Sequence, residues 1–101
     1  MSEEFSRTEL LLGPEAMNRL SNARIIVFGI GGVGGYATEA LARCGVGAID
    51  VVDDDKVGIT NLNRQIIATH SSIGQYKVDV MERRILDINP TCHVTTHKCF
   101  Y

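Results

Sequence analysis

The sequence predicts an α/β fold built on a parallel sheet, and three observations carry that prediction. Two short apolar runs, Ile25-Ile26-Val27-Phe28 and Ala48-Ile49-Asp50-Val51-Val52, have the nearly continuous hydrophobic character of strands covered on both faces. Between them a glycine-rich turn, Gly29-Ile30-Gly31-Gly32-Val33-Gly34-Gly35, opens a segment with the apolar spacing of a helix. A second helical segment then leads to a third candidate strand, so that strands and helices alternate.

The chain begins with an arm, Phe5-Ser6-Arg7-Thr8-Glu9-Leu10-Leu11-Leu12-Gly13, whose three leucines need a surface that another subunit can supply. Pro14 suits the first turn of a short helix running to about Leu20, closed by Ser21-Asn22. After the glycine turn, Val33, Tyr36, Ala37, Ala40, Leu41 and Cys44 fall on one predicted apolar helix face, which Gly45 ends. The second strand runs into Asp53-Asp54-Asp55. A loop from Lys56 to about Ser72 leads to a helix whose buried stripe is Val78, Met81, Ile85 and Ile88, stopped by Pro90. Residues 92–100 are the third candidate strand.

This order is the N-terminal half of a Rossmann-like doubly wound sheet with right-handed crossovers. Residues 1–22 read as an N-terminal arm and helix, and residues 23–101 as a partial nucleotide-binding domain. In a full fold of this kind the first strand lies at the centre of the sheet. An apolar first strand at an open edge invites association, so the expectation is a domain truncated at its C-terminal end or an edge covered by a partner.

The 101 residues suffice for one small domain, and 45% hydrophobic and 22% charged residues are ordinary for a soluble globular chain. A net charge of -2 gives no basic excess for nucleic acid. Cys44, Cys92 and Cys99 are odd in number with no paired spacing, which makes no disulfide framework and points to a reducing cytoplasm. The acidic N-terminus has no apolar leader core, and no apolar run approaches about 18 residues.

Gly29, Gly31 and Gly34 have the GxGxxG spacing, with Gly32 between them. A diphosphate reaches a helix N-terminus only where no Cβ blocks it, and here the motif stands between a strand and a helix as it must. Asp53 lies 19 residues beyond Gly34, where a carboxylate can accept hydrogen bonds from the ribose hydroxyls of NAD or of ATP.

A simple NAD site has no use for the next segment, in which Asp53-x-Asp55-x-Val57 precedes Thr60-Asn61-Leu62-Asn63-Arg64-Gln65 and then Gly74-Gln75-Tyr76-Lys77. With the glycine loop, these motifs resemble those of the adenylating superfamily that contains ThiF, MoeB, HesA and the ubiquitin-activating enzymes. Thr60 stands where serine is commoner and keeps the hydroxyl. The resemblance spans essentially the whole chain and implies ATP, with Mg2+, as cofactor. It implies that Arg64 and Lys77 act catalytically by neutralising the phosphates, that Asn61 bonds phosphate and that Gln65 supports the loop. Asp53 and Asp55 would engage the ribose side. Arg7 resembles an arginine that reaches in trans into the neighbouring subunit's ATP site, which implies a homodimer. The family's magnesium-binding aspartate matches no residue of this chain, and no metal ligands are assigned.

Within the superfamily, residues 7–13 and Asn63-Arg64-Gln65-Ile66 look most like the bacterial tRNA threonylcarbamoyladenosine dehydratases, which activate a carboxylate on tRNA. Sulfur-carrier adenylyltransferases of the ThiF and MoeB type are the alternative, with a small sulfur-carrier protein as substrate. Two readings of other classes remain, an NAD-dependent oxidoreductase half-domain and a non-catalytic nucleotide-binding module. Other features carry less. His93 and His97 on a strand are about 13 Å apart, too far to share one ion. His70 reads as a loop histidine, Cys44 as a core thiol, Asp54 as part of a solvated turn, and Glu82, Arg83, Arg84 and Asp87 as the wet side of the second helix.

Overall fold

A computed structural model describes residues 3–101. After a single 3-10 turn at Glu3–Phe5 come α1 (Ser6–Leu12), α2 (Pro14–Asn22), β1 (Arg24–Phe28), α3 (Val33–Arg43), β2 (Ala48–Val52), α4 (Lys77–Ile88) and β3 (His93–His97). The strands pair in parallel in the order β1-β2-β3, with Ile26 opposite Asp50 and Asp50 opposite Thr95. The α/β fold and the strand–helix alternation are as the sequence predicts.

Because both crossovers run the same way along the sheet and are right-handed, α3 and α4 lie on the same face. The core forms there. Ile49 and Val51 of β2 meet Ala42 of α3 and Val78, Met81 and Ile85 of α4, with Ile25, Val27 and Val94 packed at its margin. Pro14 sits at the start of α2 as expected, and α4 ends at Ile88, just before Pro90.

Coverage of both faces is not met within these residues. Side chains alternate along a strand, so Arg24, Ile26 and Phe28 point away from the core, and all three are exposed. A second correction concerns α3. Of its predicted apolar face, Val33 is 85% exposed, Tyr36, Ala37 and Ala40 are also exposed, and Leu41 and Cys44 are half-buried. The buried residues are Gly35, Thr38 and Ala42. Small residues win this interface because α3 starts hard against the turn that precedes it. A Cβ on Gly34 would stand 1.7 Å from the Gly29 carbonyl oxygen, so the helix presents its smallest side to the sheet.

β3 is shorter than predicted and ends at His97. There the Asp53 N–H takes the His97 carbonyl at 3.1 Å, β2 has ended, and residues 98–101 pair with no strand among the described residues. Tyr101 packs on Phe28 instead, ring centroids 5.4 Å apart. The N-terminal arm is helical, and Leu10 and Leu11 are each 87% exposed on it.

Candidate functional site at the C-terminal edge of the sheet

Residues at the C-terminal ends of β1 and β2 and the loop that follows β2 build the site. The Gly29 N–H donates to the Val52 carbonyl at 2.8 Å, continuing the sheet by one bond before the chain turns. The next amide, Ile30 N–H, donates to Asp53 Oδ2 at 2.8 Å. Gly32 then caps α3 at φ 56°, ψ -127°, a conformation essentially closed to residues with a Cβ. Nothing lies within 4 Å of where its Cβ would be. The first turn of α3 therefore faces open space with amide groups that have no intrahelical acceptor, the arrangement that binds anions.

The loop from residue 53 to residue 76 folds back over this turn. Asp53 is buried, and its Oδ1 accepts the Asp55 N–H at 2.9 Å. The loop is zipped closed by the Val57 N–H to the Gln75 carbonyl and the Gly74 N–H to the Val57 carbonyl, each 2.8 Å. Asn61 sits in a 3-10 turn, Ile59–Asn61, and its Oδ1 accepts the Gly58 N–H at 2.8 Å. Gln65 is buried with its amide against Gly31, 2.7 Å from where a Cβ would stand, and Ile66 packs beside Gly35. Gln65 Oε1 is a buried acceptor without a donor among the described residues.

The two cations of the motif are held differently. Arg64 is exposed and donates through Nη1 to the Thr60 carbonyl at 3.0 Å and to Asn63 Oδ1 at 2.9 Å, which leaves most of its five-donor fork free. Lys77, at the start of α4, has a side chain only 7% exposed, with its ammonium 3.7 Å from Asp55 Oδ2. The structure thus brings together the Gly31 turn and Gln65, joins Asp53 to the same turn through Ile30, and sets Asp55 against Lys77. Arg7 lies exposed on α1.

The carboxylate oxygens of Asp53, Asp54 and Asp55 fall within 4.8 Å of one another, but they do not make a cation cage. Asp53 is committed to two backbone donors and Asp55 faces an ammonium, so the set offers too little free negative charge for a hard dication.

A feature the sequence reading passed over lies on the other face of the sheet. Asp50, 2% exposed, accepts two hydrogen bonds from Arg24, at 3.0 and 2.8 Å, and one from His97 Nε2 at 3.0 Å. The Arg24 guanidinium first, and then the His97 ring, hold the Asp50 carboxyl down at about 2. A lone acid inside an otherwise apolar strand was the available signal. His93 and His97 are both exposed, and burial pushes the Cys92 thiol up.

Comparison with known proteins places this geometry. The ThiF family profile matches residues 5–100. The chain belongs to the ThiF family. Among its relatives, the tRNA threonylcarbamoyladenosine dehydratase of Bacillus subtilis is 54% identical over 101 residues, which is 100% of this chain and 40% of that protein. A sulfur carrier protein adenylyltransferase of Thermus thermophilus is 36% identical over 86 residues, 85% of this chain and 32% of that protein. The crystal structure of the E. coli tRNA N6-threonylcarbamoyladenosine dehydratase TcdA in complex with ATP superposes with a TM-score of 0.96 at 48% identity, covering 97% of this chain and 40% of that one. This ThiF-family chain therefore spans about two fifths of the length of the dehydratases it matches. No helix among its described residues is long and apolar enough to cross a membrane.

Proposed function

We propose that this chain is the ATP-binding portion of an adenylating enzyme, a tRNA threonylcarbamoyladenosine dehydratase that works in the cytoplasm as a homodimer. The observation that carries the reading is the packing of Gln65 against Gly31, which brings the loop that carries Arg64 onto the glycine turn while the same loop leads on to Lys77. Identity of 54% to a dehydratase, against 44% to a probable molybdopterin-synthase adenylyltransferase and 36% to a sulfur carrier protein adenylyltransferase, favours tRNA as substrate.

In this reading the ATP phosphates lie over the first turn of α3, where the absence of a Cβ at Gly32 leaves room. A substrate carboxylate oxygen attacks the α-phosphorus, the bond to the β-phosphate oxygen breaks, and pyrophosphate leaves as the acyl adenylate forms. Negative charge gathers on the bridging and β-phosphate oxygens as that bond breaks. The Arg64 fork and the Lys77 point charge stabilise it there, in part because Lys77 sits where water is largely excluded. Asn61 bonds phosphate, Asp53 and Asp55 face the ribose, and Arg7 from the second subunit completes the phosphate cluster. Exposed Leu10 and Leu11 beside Arg7 suit a helix that docks on another subunit. Magnesium, if bound with the nucleotide, would neutralise phosphate charge alongside Arg64 and Lys77, and the acidic turn, with Asp53 and Asp55 already engaged, would not be what holds it.

Thermal unfolding with ligands tests this. Mg-ATP at about 100 times its dissociation constant should stabilise the folded chain by ~2.7 kcal/mol, and NAD at equal concentration by much less. Stabilisation by NAD but not by ATP would replace the adenylation reading with an oxidoreductase one.

A further inference from the structure

Asp53 is spaced to meet a ribose, yet both of its oxygens are already engaged by backbone. Oδ2 takes the Ile30 N–H across 23 residues of sequence, and Oδ1 takes the Asp55 N–H two residues on. Ile30 is fully buried between Gly29 and Gly31, so its amide sits inside the glycine turn rather than beside it. With Gly29 N–H held by Val52, two consecutive amides of the turn are fixed, one by the main-chain carbonyl of the last residue of β2 and one by the carboxylate of the residue that follows it. Hydrogen bonds to an ionised acceptor are shorter and about twice as strong as neutral ones, so the carboxylate is the firmer of the two ties.

We infer that Asp53 is a positioning residue for the phosphates as well as a neighbour of the ribose: its carboxylate latches Ile30 and so sets the direction of the α3 amides that receive the phosphate chain. The inference rests on the nucleotide reading above. The latch leaves lone pairs free, since a carboxylate offers about four acceptor sites, and a ribose hydroxyl can share them. It also explains why a buried negative charge is tolerated beside a phosphate site, because two N–H dipoles neutralise it before the nucleotide arrives. Asp54, its exposed neighbour, makes no such bond.

Inorganic tripolyphosphate separates the two roles because it carries no ribose. In calorimetric titrations of the folded chain, Asp53→Asn should weaken tripolyphosphate binding about tenfold, the scale of one lost charge-assisted hydrogen bond, and Asp54→Asn should leave it unchanged. The Ile30 amide proton should move upfield in the Asp53→Asn spectrum while the amides of β3 stay in place, a signature that general loosening of the fold does not give. Should Asp53→Asn fail to fold, Asp53→Ser takes its place with the same outcomes. Unchanged tripolyphosphate binding with weakened adenosine binding would confine Asp53 to the ribose and overturn the proposal. Failure of the wild-type chain to bind either tripolyphosphate or ATP would instead overturn the nucleotide reading itself, and this proposal with it.

Discussion

At the C-terminal edge of the sheet, a Cβ on Gly34 would stand 1.7 Å from the Gly29 carbonyl oxygen; at the N-terminal edge, a Cβ on Gly47 would stand 1.8 Å from that of Ser21. Both glycines let a helix pack against a strand end, and both are required for that reason alone. What surrounds them differs. The N-terminal edge holds a groove of about 450 Å³ lined by Phe5, Asn18, Ser21, Val46 and Asn89 among others, with Glu9 its sole charged lining residue. That is roomy but offers an anion no positive charge. The C-terminal edge carries the open amides of α3 and, on the loop that follows β2, Asn61 and Arg64, with Lys77 at the start of α4. A close-packed glycine is common to both edges, and it is the donor groups that set them apart.

The two edges part most clearly at Gly34. Alanine there drives a Cβ into a backbone carbonyl that cannot rotate away, so Gly34→Ala should cost more than ~3 kcal/mol in chemical denaturation and abolish ATP binding. Gly47→Ala should lose stability on the same scale in the same assay. If the two ends differ as argued, its folded fraction keeps full affinity for ATP, and a matching loss of affinity would erase the distinction. Gly32→Ala sharpens the point, since that glycine has open space around it and only its backbone angles to forbid a side chain. It should cost ~1–3 kcal/mol of stability and remove phosphate binding from protein that remains folded, as read by calorimetry.

The smallest effect lies on the open face of the sheet. Asp50 titrates at about 2 in the folded chain, below its ordinary 3.8, so its contribution is fully present above about pH 4 and fades as pH falls towards 2. Thermal unfolding between those limits should show wild type losing stability more steeply than Asp50→Asn, while ATP affinity at neutral pH is alike in both. Equal slopes would mean that Arg24 and His97 do not hold the carboxylate in solution.

How far the sequence foretold this structure varies with the kind of signal. The alternation of strands and helices was plain, because apolar runs and turn glycines mark elements locally. The face of α3 was not. Periodicity shows that Val33, Tyr36, Ala37 and Ala40 share a side of the helix, but close approach at Gly34 and Gly35 decides which side meets the sheet, and small residues carry little hydrophobic signal. The span of β3 depended on where β2 ended, which only pairing reveals. The site motifs were legible as residue types at fixed spacings. The depth of Lys77, the commitment of Asp53 to Ile30 and the Arg24–Asp50–His97 bridge were not, because each depends on side chains brought together across 22 to 47 residues of intervening chain.

The account stands most directly on Arg64, which is exposed and makes only local hydrogen bonds in the free chain, so its removal leaves the fold intact. Calorimetric titration of ATP into wild type and Arg64→Ala, with AMP and NAD alongside, reads its role. ATP affinity should fall by about 1.5–3 kcal/mol, roughly 10- to 150-fold, with AMP affected less and NAD bound weakly by both. ATP affinity that is indifferent to Arg64, or NAD binding that exceeds that of ATP, would contradict it.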